Sequence, residues 1–417
     1  MAVDAPIRAE DISAARRWTA FAFLMIAEFF YSWSWNTVDI LRPQIRDQLG
    51  LTLTQAGSTY TAQSLGALIG AIVLAQVADR FGRRRTLFFV IAGFGFFGVC
   101  GVFVGSYPLL LAQRFALGFF LGAIFPVLIG TYMSLFASQI RGKLAAVGNG
   151  TYNLAVIALG WASGTHTGQQ DWHLLLWAAA IPPLLIAPLV FVFIPDDRQM
   201  RPWGADSEIL PAAKLPIFEL FAPVLRHRTA LLFLLVGLNF FAYQAFAGWV
   251  TTYLKDVRGF SPEISARIVY FQFIGAMLGA FFWGWFSDRF GRRLTGIGFF
   301  GASVMVVLYL TVLDSPDALQ LGGLLWGFMM TCSVAWAPWI SELYPAHIRS
   351  TAMSIFNWGR IISMTAPLVT GAIAEAFGLT SAMLLAAAGF SLGGLVWLMI
   401  PETVVRTPRL AKAMKAA

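Results

Sequence analysis

Apolar runs long enough to cross a bilayer alternate with short polar turns along most of this chain. With about 20 residues needed per helical crossing, the pattern predicts twelve helices. Helix 1 is placed at 17–46, helix 2 at 57–78, helix 3 at 86–105, helix 4 at 107–131, helix 5 at 143–166 and helix 6 at 172–195. Helices 7 to 12 follow at 229–254, 264–287, 294–313, 318–341, 350–376 and 379–400. Residues 1–16 are polar and of mixed charge. A longer polar stretch, 196–228, carries Pro202, Pro211, Pro216 and Pro223 and reads as a linker. The expected organisation is a six-helix bundle over 1–195, the linker, and a second bundle with a tail over 229–417.

Two internal echoes support two related halves. The stretch A-Q-V-A-D-R-F-G-R-R-R, Ala75 to Arg85, returns as G-W-F-S-D-R-F-G-R-R, Gly284 to Arg293, half a chain later. S-L-F-A-S-Q-I-R, Ser134 to Arg141, returns at nearly the same offset as E-L-Y-P-A-H-I-R, Glu342 to Arg349. Repeats at half-chain spacing mark duplicated helical bundles. The fold class expected is therefore an all-α membrane protein, with twelve transmembrane helices in two pseudo-symmetric six-helix halves.

Composition agrees. The chain is 58% hydrophobic and 12% charged, with a mean hydropathy of +0.70, whereas soluble domains are about one-quarter charged. Cys100 and Cys332 fall within apolar runs, which argues against a disulfide framework. Helix 1 is too long for a signal-peptide core and lacks a small-residue cleavage site, so it reads as a retained span. The net charge of +8 needs no nucleic-acid partner. If both ends lie inside, the outer loops hold only Arg46, Lys255, Arg258 and Arg267. Arg42, Arg114 and Arg360 fall within spans, and the other basic residues are cytoplasmic. That bias is the positive-inside signature, in a plasma (inner) membrane with both termini cytoplasmic.

The motifs resemble those of the major facilitator superfamily of secondary transporters. The D-R-F-G-R-R loops match that family's helix 2–3 signature and its helix 8–9 counterpart. Q-R-F-A-L-G-F-F-L-G, Gln113 to Gly122, is similar to its helix 4 motif, with Arg114 as the arginine. E-L-Y-P-A-H-I-R and P-E-T, Pro401 to Thr403, are similar to the sugar-porter and metabolite–proton-symporter branches. Ala75 stands where the first loop motif usually has glycine, and Ser134 where Glu342 keeps the acid. The resemblance implies alternating access, with Asp79, Arg83, Asp288, Arg292, Glu342 and Arg349 as gating residues that latch one state. The plainer reading of the basic loops is topology alone.

Charges within spans are expensive and default to function. Helix 1 carries Glu28, Asp39 and Arg42. N-T-V-D, Asn36 to Asp39, resembles the D-G-F-D motif of aromatic-acid symporters and keeps its second acid. Asp39 and Arg114 both lie roughly 10 Å below the outer surface at 1.5 Å per residue. Sugar–proton symporters resembling this chain pair such groups, so Asp39, Arg114 and Glu28 are the proton-coupling candidates. The competing assignment is a static pair between Asp39 and Arg42, three residues apart. Arg360 lies mid-span with no acid within a turn, in a G-R-x-x-x-x-x-A-P setting similar to that of organic-anion transporters. Tyr31, Trp35, Asn36, Asn149, Tyr152, Asn153, Asn239, Tyr243, Gln244, Trp336 and Trp339 are possible cavity residues, each weighed against plain packing.

No Walker loop and no nucleophile–base set is present, and His166, Asp171 and His173 lack metal spacing. No cofactor is expected. The expected activity is proton-coupled import of a small organic anion by a monomer in the lipid bilayer. A sugar or polyol symporter and a proton-driven drug exporter are the alternatives. Cysteines placed at Ser261 and Ser207 are expected to react with an impermeant reagent from opposite sides of the membrane. Labelling from one side would end the twelve-helix topology.

Overall fold

The computed structural model describes residues 7–165, 172–197, 200–201, 216–345, 348 and 352–403. Among these, helix 1 is Ala14–Ile40 continued by Arg42–Leu49, helix 2 Leu53–Phe81, helix 3 Arg83–Val102, helix 4 Tyr107–Leu135 and helix 5 Ser138–Thr165. Helix 6 runs from Trp172–Ile186 into Val190–Phe193, and helix 7 is Arg226–Phe246 followed by Val250–Asp256. Helix 8 is Pro262–Phe290, helix 9 Ile297–Thr311, and helix 10 is Pro316–Met330 followed by Trp336–Leu343. Helix 11 is in pieces, Ile355–Trp358, Arg360–Ser363 and Ala366–Phe377, and helix 12 comprises Leu379–Met383 and Leu385–Met399. Nine of these units are long and apolar enough to cross a membrane by themselves. Helices 1, 5 and 11 fall short, and these carry Glu28, Asp39, Asn149, Asn153 and Arg360. The polar tail and linker touch through a two-residue parallel pairing, Ile7–Arg8 (β1) with Met200–Arg201 (β2).

Several helices expected to be continuous are broken, and each break has a local cause. Pro43 has no N–H to give the Asp39 carbonyl, so helix 1 interrupts at Leu41 and restarts with proline in its first turn. The freed Asp39 carbonyl accepts from Thr251 Oγ1 of helix 7 at 2.9 Å. Helix 7 breaks at Ala247–Trp249, between its two pieces, and the Gly248 carbonyl accepts from the Arg42 guanidinium. Helix 11 breaks ahead of Pro367, and the Met364 carbonyl accepts from Thr61 Oγ1 of helix 2 at 2.7 Å. Unpaired backbone inside a membrane is tolerated only where another group answers it.

The duplicated loops are duplicated in detail. Gly82 and Gly291 adopt φ of 92° and 107°, a region closed to most side chains, which explains the glycine in both D-R-F-G-R-R copies. A carboxylate then seats on the N–H groups that open the following helix. Asp197 accepts from Arg83 N at 2.7 Å and Arg84 N at 3.2 Å. Glu402 of P-E-T accepts from Arg292 N at 3.0 Å and Arg293 N at 2.8 Å. Anions are stabilised at such helix starts. Within each half, glycines let helix pairs meet backbone to backbone. Gly66, Gly118 and Gly122 do so between helices 2 and 4, and Gly275 and Gly327 between helices 8 and 10.

The halves meet at the face opposite the basic loops. Arg46 pairs with Asp256, its second nitrogen at 3.1 Å, and Lys255 pairs with Asp47. Thr54 N donates to Glu375 at 2.8 Å. Gly57 lies against the Pro367 carbonyl too closely for any side chain. At the basic-loop face, the bonds of Arg83 and Arg292 stay within their own halves. Gly148 and Gly150 of helix 5 point at open space there. Among the described residues, these ties latch the face opposite the basic loops.

Burial raises the Asp47 carboxyl, but hydrogen bonds from Lys255 and Arg46 outweigh it and hold the group below the usual carboxylate range. A depressed carboxylate contributes stability above its unfolded pKa, and that stability is lost as pH falls through the folded value. Asp47 is 43% exposed, so the contribution is below about 1 kcal/mol. Thermal unfolding of Asp47→Asn is expected to run slightly below wild type at neutral pH and to converge with it in acid. A constant offset at every pH would exclude this account.

Candidate functional site

Helix 1 bends its aromatic face toward the broken middle of helix 11. The Arg360 guanidinium lies over the Trp35 ring, 4.8 Å from its centre, a cation–π distance. Tyr31 and Tyr60 flank Trp35, with ring centres at 6.1 and 6.2 Å. The Tyr31 hydroxyl lies beside the same guanidinium. Tyr152 approaches Tyr31 at 6.5 Å, and its hydroxyl accepts from Asn36 Nδ2 at 3.0 Å. Gln63 Nε2 of helix 2 holds the Trp35 carbonyl at 3.1 Å. Arg360 starts its own short helical piece after Gly359, and Gly359 packs directly on Val236 and Gly237 of helix 7. Among the described residues no carboxylate forms an ion pair with Arg360.

Toward the latched face lies a second charged group. Asp39 binds Arg42 at 2.5 Å. Arg42 is 2% exposed and also covers the Trp249 ring at 4.5 Å. Arg114 is 3% exposed, its Nε has no hydrogen-bond partner among the described residues, and Asp39 and Arg42 are the charges within its reach. The expected Asp39–Arg114 bond is therefore not made in this conformation; Arg42, just past the break at Leu41, takes the carboxylate instead. Gln244 lies beside Asp39, its Oε1 without a partner among the described residues. Glu28 is 2% exposed, near Tyr31 and Tyr132, and its Oε2 likewise has no partner among the described residues.

The remaining candidates separate. Tyr243 packs on Trp326 at 6.0 Å, and Asn239 is buried, its Oδ1 without a partner among the described residues. Asn149 is exposed on the basic-loop half of helix 5, and Asn153 donates to its carbonyl at 2.9 Å. Trp336 and Trp339 belong to the packed core of the second half. Trp336 meets Phe299 edge-on and Trp397 at a tilt, and Trp339 donates to the Pro401 carbonyl at 3.0 Å. Their indole mass is used for packing rather than lining a cavity here.

At the basic loops, Arg292 joins Asp288 at 2.5 Å and Glu342 at 2.9 Å. Arg83 instead donates to the Gly130 carbonyl at 2.8 Å, because Ser134 supplies no acid where Glu342 does. Arg349, His166, Asp171 and the Asp79 side chain lie outside the described residues. Tyr60, Gln63 and Trp249 were missed by sequence reasoning. Their signal was an aromatic or amide in an apolar run, which packing produces equally often.

The comparisons with known proteins cover nearly the whole chain. The family model described as Major Facilitator Superfamily matches residues 24–277 and 262–416. The chain is 25% identical over 354 residues to a 3-(3-hydroxy-phenyl)propionate transporter of Escherichia coli, covering 84% of this chain and 86% of that one. It is 25% identical over 407 residues to a gallate transporter of Pseudomonas putida, covering 89% and 90%. Among solved structures, an inward-facing, occupied bacterial homologue of the human lysosomal transporter Spinster superposes with a TM-score of 0.80. The identity is 15%, with 95% of this chain and 100% of that one covered. With two halves of membrane helices, duplicated basic loops and polar groups at their interface, this multi-pass membrane protein belongs to the Major Facilitator Superfamily of transporters.

Proposed function

We propose that the protein imports a small organic anion, an aromatic carboxylate in the first instance, together with protons. The observation that carries this is Arg360, a half-buried guanidinium at a helix break, ringed by Trp35, Tyr31, Tyr60 and Tyr152 and without an acid partner among the described residues. A cation placed in the membrane interior wants a counter-charge. A carboxylate can clamp a guanidinium through two parallel hydrogen bonds, while the surrounding rings accept an aromatic body. The cargoes for which the two relatives are named, a hydroxyphenylpropionate and gallate, share this chemistry. A neutral sugar leaves the guanidinium uncompensated, which disfavours the sugar-porter reading.

Asp39 is the coupling acid in this reading, with Arg114 as its second arginine and Glu28 as a buried acid nearer the basic-loop face. With the basic loops cytoplasmic, the latched face is the outer one and the cargo site opens inward. Asp79, Arg83, Asp288, Arg292, Glu342 and Arg349 would then hold the opposite, inside-closed state. The protein would work as a monomer in the plasma membrane.

Arg360→Lys is expected to weaken aromatic-acid binding about tenfold or more, since an ammonium cannot reproduce the two-point contact. Carboxylates should raise the melting temperature of the wild-type protein, and sugars should not. Full carboxylate binding by Arg360→Ala would remove the anion site. Asp39→Asn is expected to abolish accumulation driven by a pH difference and to spare counterflow exchange of cargo. Concentrative uptake by that variant would remove Asp39 from coupling.

A further inference from the structure

Arg42 does more than neutralise its neighbour on helix 1. Its guanidinium holds three groups at once: the Asp39 carboxylate at 2.5 Å, the Gly248 carbonyl, and the Trp249 ring face at 4.5 Å. The last two belong to the break in helix 7, in the other half of the molecule. A static local pair would need neither. Thr251, three residues on from Gly248, binds the Asp39 carbonyl, so both ends of one turn of helix 1 are tied to the same break.

The charge inventory makes this contact conditional. The groups facing Asp39 are Arg42, Arg114 from helix 4, Tyr60 from helix 2, and Tyr243 and Gln244 from helix 7. One acid therefore serves two buried guanidiniums that repel each other. With Asp39 ionised, Arg42 is compensated and can stay buried at 2% exposure. With Asp39 protonated, two unpaired cations share the pocket, and a buried charge without its partner is strongly unfavourable. Arg114 is enclosed two turns into helix 4, at 3% exposure. Arg42, which opens the short helix leading to the exposed Arg46–Asp47 network, has the route to water.

We propose that Arg42 is a positioning residue that couples the charge on Asp39 to closure of this face. Closing the face seats Arg42 on Gly248 and Trp249 and requires ionised Asp39. Protonating Asp39 frees Arg42 and loosens the face, as linkage demands. In a symporter, closing the outer side would then deliver the proton of Asp39 to the side that opens. This last step rests on the reading of Asp39 as the coupling acid; the clamp itself does not.

The test is a distance measurement across the latched face, with spin labels at Gln48 in the first half and Ala376 in the second, both exposed. It uses the full-length protein in nanodiscs without cargo. Wild type is expected to show a short distance at neutral pH and a growing longer component as pH falls. Arg42→Ala should raise the open-to-closed ratio about tenfold at neutral pH, and Asp39→Asn should act in the same direction. The double variant should open no further than Arg42→Ala alone. Arg42→Lys, which cannot span all three partners, should lie between, and Trp249→Leu should open the face while leaving the pH response in place. Asp47 and Glu375 also titrate on this face, so the pH response must vanish in Asp39→Asn to be assigned to Asp39. A wild-type distance distribution in Arg42→Ala, or opening by Arg42→Ala and Asp39→Asn that simply adds, would overturn the clamp. Because no transport is read, a clamp that holds while Asp39→Asn still concentrates cargo would refute the coupling role alone.

Discussion

In a membrane, every backbone carbonyl released from a helix and every buried charge must find a partner within the protein. The three interrupted helices at the latched face answer that demand across the half-interface. The carbonyls of Asp39, Gly248 and Met364 are met by Thr251, Arg42 and Thr61 of the opposite half. The same breaks that weaken a helix as a continuous rod supply the acceptors that join the two bundles. Closure is thus made from the defects of helices 1, 7 and 11, while the pairs 2–4 and 8–10 are joined backbone to backbone through glycine contact.

The buried arginines divide the chemistry among themselves. Arg360 has aromatic faces and, among the described residues, no acid partner, which is what suits it to the anion proposed above. Arg42 and Arg114 share one aspartate, which makes that aspartate's proton a matter of how two cations are accommodated. Arg292 has Asp288 and Glu342 and serves the loop itself. Arginine suits all these roles because its planar fork can stack on a ring while donating in several directions.

The two halves are related without being equal. Both basic loops turn on a glycine of positive φ, and both place a carboxylate on the N–H groups of the next helix. In the second half Glu342 accepts from Arg292, whereas at the corresponding place Ser134 supplies no carboxylate and Arg83 donates to the Gly130 carbonyl.

Hydrophobic run length and the half-chain repeat were enough to give the fold class, since crossing a bilayer is a one-dimensional requirement on length and polarity. The cost of charge within a span singled out Asp39, Arg114, Glu28 and Arg360 for the same reason. Which of these meet is a three-dimensional matter. Depth along separate helices left Asp39 free to pair with Arg42 or Arg114, and the fold chose Arg42 because Pro43 breaks helix 1 and turns Arg42 inward against Trp249. Trp336 reads like a cavity aromatic in the sequence, but the fold packs it on Phe299 and Trp397. Tyr60 and Gly248 carry no distinguishing signal in the chain, because their places rest on partners from other helices that only the tertiary structure brings together.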